Sequence, residues 1–257
     1  MNPRRFPLTR EISLVVLAYL YVPVFVLIVY SFNANRTATI WTHASLDWYG
    51  RILVNPSIQA AAWNSLVVAI TAATAATILA LLAALSTRRA FMGRGAAETV
   101  LNVPLILPEI VVAVATLLLF VALGVHLGLG AMIAAHTAFC IPFAYLPIRA
   151  RLDGMSGTYE EAAQDLYASH FRTFRRVTMP MLLPGVMAGF TLAFVTSLDD
   201  FLTSFFLSGP GTTTLPVYIF SAIRSGISPE INAISAVMLV VSVLLVSLSF
   251  FLGRLRR

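Results

Sequence analysis

This chain of 257 residues is 59% hydrophobic and only 11% charged, whereas soluble domains carry about 25% charged residues. With a mean hydropathy of +0.87, it is expected to be a polytopic membrane protein rather than a single water-surrounded domain. All 17 basic residues are arginines, so the Walker lysine of P-loop ATPases is missing. The single cysteine, Cys140, excludes an internal disulfide and a cysteine-based metal site.

Six apolar runs are each long enough to cross a bilayer, which takes about 20 helical residues. The first run follows a basic N-terminus, but no small-residue cleavage site comes after it, so we expect an uncleaved span. The predicted spans are about 12–32, 64–86, 97–123, 130–149, 180–206 and 231–253. The sequence therefore predicts an all-α polytopic membrane protein with six transmembrane helices and one domain, residues 1–257.

The arginines divide unequally when the loops are assigned to alternate sides of the membrane. The larger group, of fourteen, is Arg4, Arg5, Arg10, Arg88, Arg89, Arg94, Arg149, Arg151, Arg172, Arg175, Arg176, Arg254, Arg256 and Arg257. The other three are Arg36, Arg51 and Arg224. Because cytoplasmic loops carry the excess of basic residues, we expect both termini and residues 157–180 to be cytoplasmic. The net charge of +6 then reflects topology, and nucleic-acid binding is not needed to explain it.

The segments on the opposite side are longer than simple turns. Residues 33–63 contain Trp41, Trp48 and Trp63, which are expected to lie as aromatic anchors at the membrane interface. Residues 207–230 contain glycine and proline steps around Pro210, followed by an apolar stretch too short to span. We expect a loop there with a re-entrant or surface helix.

Three carboxylates fall inside predicted spans: Glu109, Asp199 and Asp200. A charge at the bilayer centre costs about 2.5–3.5 kcal/mol on insertion scales, so such residues usually face a cavity or a partner. They are candidates for lining a pathway for cations, or alternatively for hydrogen bonding between helices or pairing with Arg224 or a partner chain. Asp199 and Asp200 would point about 100° apart on one helix, so only one is expected to face the pathway squarely.

The other polar features of the spans suggest structural roles. Pro104 and Pro108 precede Glu109 and are expected to kink the third span near its middle. His136, alone in an apolar span, favours hydrogen bonding between helices over metal ligation, because metal sites need converging donors. The sequence contains no catalytic signature such as HExxH or GxSxG, so neither a catalytic residue nor a metal site is expected.

Residues 157–180 concentrate polar chemistry in an otherwise apolar chain. Thr158 and Glu161 match a capping box, which predicts a helix from about Tyr159. Carboxylates come early and arginines late, as the helix dipole favours. Pro180 is expected to end any cytoplasmic helix, and the charge order predicts a short helix, a bend near 167–170 and a second short helix. This segment is either a solvated loop or a surface that docks in a partner's cleft.

The spacing of this segment resembles the EAA loop of ABC importer permeases. Glu-Ala-Ala at 161–163 is followed at the family's spacing by Tyr167, Val177, Met179 and Pro180, where the family has Gly, Ile, Leu and Pro. "NSL" at 64–66 resembles the start of the permease domain, and "SLDDF" with "LPVYIFSAIRSGISPEINAIS", within 197–235, looks like the second permease of spermidine/putrescine importers.

This resemblance implies a type I importer permease in the bacterial inner membrane, in which residues 157–180 form a cytoplasmic coupling loop that an ATPase subunit holds. The implied coupling residues are Glu161, Ala162, Ala163, Asp165, Leu166, Tyr167 and Pro180. Implied partners are a second homologous permease, two ATP-binding subunits, an extracytoplasmic solute-binding protein, a small cationic substrate and membrane lipid. ATP and Mg²⁺ would belong to the ATPase, with no cofactor in this chain and no enzymatic activity of its own.

Two questions stay open at this level. Tyr167 stands where the family has glycine, so either the turn avoids positive φ or the tyrosine ring is part of the docking surface. A different class of function, a proton- or ion-coupled secondary transporter using Glu109, Asp199 and Asp200, would need no ATPase. Within the superfamily, amino-acid-like solutes, iron and sulfate are the alternatives to polyamines.

Overall fold

The computed structural model describes residues 9–35, 40–88, 91–226 and 229–255, and most of them are helical. The helices are α1 Thr9–Ser31, α2 Asp47–Val54, α3 Pro56–Ser86, α4 Arg94–Ile106, α5 Glu109–Ala122, α6 Leu129–Asp153, α7 Thr158–Asp165, α8 His170–Thr173, α9 Met179–Asp199, α10 Leu202–Leu207, α11 Leu215–Ser225 and α12 Pro229–Leu255. In these ranges the strand-like pairing is limited to one bridge, between Asn33 and Ala44.

Among the residues that the structure describes, five helices are long and apolar enough to span a membrane, and α4 with α5 make a sixth span if the bent pair counts as one. The predicted third span, 97–123, corresponds to α4 and α5, which meet at a bend of 108°. The break falls at Leu107, whose ψ of 141° is extended, as expected for a residue before a proline. Pro108 follows and also has extended ψ, 130°, so the kink predicted from the prolines is a full break.

The fifth predicted span, 180–206, also differs from the structure at both ends. The prediction that Pro180 ends the cytoplasmic helix is wrong, since the chain is helical from His170 to Asp199. A π-helical turn, Phe174–Thr178, precedes Pro180, and the amide of Met179 donates to the carbonyl of Phe174. This wider turn accommodates a proline, which cannot itself donate to the helix ladder. At the other end, helix α9 stops at Asp199 and α10 begins after a two-residue break.

The chain forms two compact units, the first of which comprises Met1–Gln59 and Tyr218–Val241. Within it, the indole N–H of Trp48 donates to the carbonyl of Asn33 at 2.8 Å, and Ser31 pairs with the hydroxyl of Tyr49 at 2.7 Å. Trp48 is therefore buried and tied to the backbone, which corrects its predicted role as an interfacial anchor. Trp41 is 44% exposed, and the short helix expected within 207–230 is α11.

The second unit comprises Ala60–Val217 and Ser242–Arg257, and its core is built on small residues. One face of α3 presents five fully buried alanines at helical spacing: Ala69, Ala73, Ala76, Ala80 and Ala84. Helices α6 and α9 pack against each other, and α9 meets this contact with Gly185 and Gly189. A Cβ at Gly189 would lie 2.6 Å from the carbonyl oxygen of Ala144, so the two backbones touch as in small-xxx-small membrane packing.

We expect Gly189→Ala to destabilise the protein, because the added methyl group forces α6 and α9 apart. Overpacking of this kind costs about 1–3 kcal/mol, and the measurement is thermal unfolding of the purified protein in detergent. Gly130→Ala is the matched control, since a Cβ there meets nothing within 4 Å. Equal thermal stability of the two variants would contradict close backbone packing of α6 on α9.

Candidate functional sites

The three carboxylates predicted to lie within spans come together at one cavity of about 300 Å³. Glu109 is the first residue of α5, Asp199 is the last residue of α9, and Asp200 follows it. The cavity, called the acidic cavity below, is lined by Pro104, Leu107, Glu109, Val112, Phe139, Phe143, Thr196, Asp199, Asp200 and Thr203. Two helix breaks thus place carboxylates that are about ninety residues apart in the sequence against the same space.

The two adjacent aspartates have different environments. Asp200 is 6% exposed, and its carboxylate accepts hydrogen bonds from the backbone amides of Ser204 at 2.9 Å and Thr203 at 3.4 Å. It therefore satisfies free N–H groups in the first turn of α10. Asp199 is exposed. The expected 100° separation on one helix does not apply, because Asp200 has left the helix with a ψ of 121°.

His136 is the main side-chain partner of Asp200. It is fully buried, and its Nε2 lies 3.2 Å from Asp200 Oδ2 while its Nδ1 lies 2.7 Å from the hydroxyl of Ser197. Ser204 Oγ is 3.3 Å from the same Nε2. The prediction that His136 hydrogen-bonds between helices is confirmed, and Asp200 shows the inter-helix alternative that the sequence left open for it.

Glu109 has the opposite character from Asp200. It is exposed, at the start of α5, where the helix dipole favours a negative charge. It also interacts with the carboxyl group of Asp200. Glu109 and Asp199 are therefore the carboxylates presented to the cavity, while Asp200, with His136, Ser197 and Ser204, braces its wall. Nothing in the sequence marked the two serines, because serine is common in membrane helices.

The predicted helix–bend–helix in residues 157–180 is confirmed by α7 and α8, called the helix pair below. The predicted capping box is wrong: Gly157 is the N-cap, Thr158 is already helical, and no side chain caps the helix. The carbonyl of Gly157 instead accepts from the amides of Glu160 and Glu161, both at 3.0 Å. The second helix does have a side-chain cap, since Ser169 Oγ accepts from the amide of Arg172 at 3.4 Å.

The bend of the helix pair is a Schellman turn with Tyr167 in the left-handed position. The φ of Tyr167 is 61°; its amide donates to Gln164 at 2.8 Å, and the amide of Ala168 donates to Ala163 at 3.0 Å. This motif normally has glycine at that position, because a side chain costs about 1–2 kcal/mol there. Of the two possibilities for Tyr167, the one in which the turn avoids positive φ is wrong.

Most of the residues that the EAA resemblance implies for coupling lie on the outer surface of the helix pair. Glu161, Ala162, Asp165, Leu166 and Tyr167 are exposed, as is Pro180 in the first turn of α9, whereas Ala163 is half-buried. Leu166 is 82% exposed and Tyr167 95%. The apolar side chains of this surface are therefore left without cover by the chain itself.

Glu160 points the other way and ties the helix pair to the spans. Its carboxylate pairs with Arg88, just beyond α3, at 2.7 Å through both oxygens, and accepts from the hydroxyl of Thr178, in the π-helical turn, at 2.6 Å. Sequence reasoning missed this role, because Glu160 and Glu161 are identical residues at neighbouring positions. The signal available was helical geometry, which points adjacent side chains about 100° apart.

No metal centre is found in the part of the chain that the structure describes. A metal ion requires several converging donors, and among residues 9–35, 40–88, 91–226 and 229–255 no group of three or more His, Cys, Asp or Glu side chains has a suitable arrangement. The acidic cavity and the helix pair are the candidate functional sites considered below.

Residues 76–256 match the family described as the binding-protein-dependent transport system inner membrane component. The spermidine/putrescine transport system permease protein PotC of Haemophilus influenzae is 39% identical over 97% of this chain and 98% of its own length. The putrescine transport system permease protein PotI of Escherichia coli K12 is 37% identical over 91% of this chain and 86% of its own length. A crystal structure of a bacterial ABC transporter that imports alginate, an acidic polysaccharide, shares the fold, with a TM-score of 0.74 and 15% identity over 96% of this chain and 95% of that one.

We expect His136→Ala to destabilise the protein, because it leaves the buried Asp200 without its side-chain partner. Removing one partner of a buried hydrogen-bonded pair costs about 1–3 kcal/mol, and thermal unfolding in detergent measures this loss. His126→Ala is the control, since His126 is exposed. The double variant His136→Ala/Asp200→Asn should lose less stability than the sum of the losses in the two single variants. Strictly additive losses of stability would contradict the pairing.

Proposed function

The chain belongs to the family of binding-protein-dependent transport system inner membrane components, and we propose that the importer it serves carries spermidine, putrescine or a related cationic amine. It is a membrane-spanning permease subunit of an ABC importer with the type I fold. The observation that carries the choice of solute is its identity of 37–39% to polyamine permeases over most of its length. The chemistry of the acidic cavity supports the same choice.

The acidic cavity suits a polyamine because it combines exposed carboxylates with apolar and aromatic walls. Glu109 and Asp199 offer negative charge to ammonium groups, while Phe139 and Phe143 offer ring surface to the methylenes between them and to the cation itself. Among the described residues that line the cavity, none is basic. The carboxyl group of Asp200 is already bonded to His136 and to the first turn of α10. Its proposed role is therefore to stabilise the break between α9 and α10 rather than to bind the solute.

The helix pair is proposed to dock in a cleft of an ATP-binding subunit. Glu161, Ala162, Asp165, Leu166 and Tyr167 would contact that subunit, which supplies the ATP and Mg²⁺ chemistry. Glu160 would transmit movement of the ATP-binding subunit to the spans. Its carboxylate pairs with Arg88, just beyond α3, and accepts a hydrogen bond from Thr178 in the π-helical turn that leads into α9.

The remaining partners and the topology follow the same proposal. A second permease and a second ATP-binding subunit complete the complex, with this chain acting as one permease domain, and an extracytoplasmic binding protein delivers the solute. The positive-inside distribution supports cytoplasmic termini and a cytoplasmic helix pair. Arg4, Arg5, Arg36, Arg89, Arg256 and Arg257, which entered that count, lie outside the described residues. The secondary-transporter alternative has no comparable support, since the family is binding-protein-dependent.

Glu109→Gln should weaken uptake of a polyamine while the complex still assembles. Losing one charged contact of about 1.5–3 kcal/mol raises the apparent KM for spermidine at least about tenfold, measured in proteoliposomes with the binding protein and ATP. Glu98→Gln is the control, because Glu98 pairs with Arg94 and does not line the cavity. Unchanged uptake kinetics would mean that Glu109 is structural, and uptake of sulfate or an amino acid instead would overturn the polyamine assignment.

Glu161→Lys should leave the chain inserted but uncouple solute transport from ATP hydrolysis, because it reverses a charge on the surface proposed to meet the ATPase. Asp165→Lys, on the same exposed surface, should act in the same way. The measurement is ATPase activity of the assembled complex with and without loaded binding protein. Normal stimulation in both variants would contradict docking through the helix pair.

A further inference from the structure

Tyr167 is the one non-glycine residue with positive φ among those the structure describes. Its backbone is held there by the Schellman hydrogen bonds, from its own amide and from that of Ala168. Glycine would make the same two bonds without strain, because the motif uses only main-chain atoms. The tyrosine side chain therefore adds strain to a turn that does not require it.

The strain is not offset by packing within the chain. The Tyr167 side chain is 95% exposed, so its ring buries almost no apolar surface in this fold. Exposed aromatic groups of this size are costly to leave in water, and burial of their area is the main way in which they stabilise a structure. Any compensation for the strain must come from a contact outside this chain.

The helix pair exposes other large apolar side chains besides Tyr167. Leu166 is 82% exposed, Phe171 72% and Tyr159 58%. Tyr159 lies on α7, Leu166 is its C-cap, and Phe171 lies on α8, which contacts α7. Exposed carboxylates of α7, Glu161 and Asp165, and the exposed arginines within 172–176 border these apolar side chains with charges of both signs. Apolar side chains surrounded by a charged, polar rim are typical of protein–protein interfaces.

We propose that Tyr167 is the aromatic anchor of the contact between the helix pair and the ATP-binding subunit, and that it makes this permease selective for an ATPase whose cleft accepts a tyrosine. The inference rests on the proposed function, since it assumes that the helix pair docks on an ATPase. Tyrosine offers a large, rigid contact area with little loss of side-chain entropy, and tyrosines are enriched among the residues that dominate binding energy.

The test compares variants that separate the ring from the backbone conformation. Tyr167→Gly and Tyr167→Asn both tolerate the left-handed turn but remove the ring, whereas Tyr167→Phe keeps the ring. The full-length permease complex is purified in nanodiscs, and its affinity is measured for the purified ATP-binding subunit that assembles with the wild-type complex. Thermal unfolding of each permease without the ATPase is measured in parallel.

Tyr167→Gly and Tyr167→Asn should each weaken ATPase binding at least about tenfold, as expected for a dominant interface residue. Tyr167→Phe should stay within about threefold of wild type, because it retains the ring area. The thermal stability of Tyr167→Gly alone should equal or exceed that of wild type, since strain is removed. If Tyr167 had only a structural role, replacing it with glycine would lower both the thermal stability of the permease and its affinity for the ATPase.

Two negative outcomes are distinguishable. If Tyr167→Gly binds the ATPase as tightly as wild type while Glu161→Lys does not, the helix pair docks but the anchoring role of Tyr167 is wrong. If the wild-type complex assembles with no ATP-binding subunit, the proposed function itself fails. Loss of thermal stability in Tyr167→Gly would show that the ring supports the fold, which also overturns the inference.

Discussion

A bilayer core has no water to hydrogen-bond an open backbone, so a membrane helix can be interrupted only where protein or a solvated cavity satisfies the freed groups. This chain interrupts two apolar segments, at Leu107–Pro108 and after Asp199, and both breaks border the acidic cavity. Asp200 accepts the amides that the second break exposes, and His136 holds that carboxylate. The same constraint that forbids breaks elsewhere concentrates the polar chemistry of the spans at this cavity.

Two pairs of identical neighbours, Asp199–Asp200 and Glu160–Glu161, are each divided between an inward and an outward role. Asp200 and Glu160 are held by side-chain partners from other elements, while Asp199 and Glu161 are exposed. In each pair the inward carboxylate fixes the backbone, and the outward carboxylate stays accessible on the surface. In both places a carboxylate bonded within the fold and an exposed carboxylate thus occupy consecutive positions.

Hydropathy was sufficient to locate most of the helical spans, because it depends on composition over about twenty residues. Predictions from short sequence motifs failed at two single residues. Thr158 fits a capping box but is already the first residue of α7. Pro180 does not end the helix, because the π-helical turn before it accommodates the proline. The pairing of His136 with Asp200 joins residues 64 positions apart, so it depends on how α6 meets α9. The small-xxx-small pattern at Gly185 and Gly189 was a readable signal for that contact.

The buried His136–Asp200 pair also has a consequence for biogenesis. Helix α6 precedes α9 in the chain, so His136 is synthesised before Asp200. An aspartate that enters a bilayer alone carries a free-energy cost of about 2.5–3.5 kcal/mol. A hydrogen-bonding partner on an earlier helix lowers that cost. Because the helix that carries the histidine is made first, Asp200 can form this pair as α9 inserts.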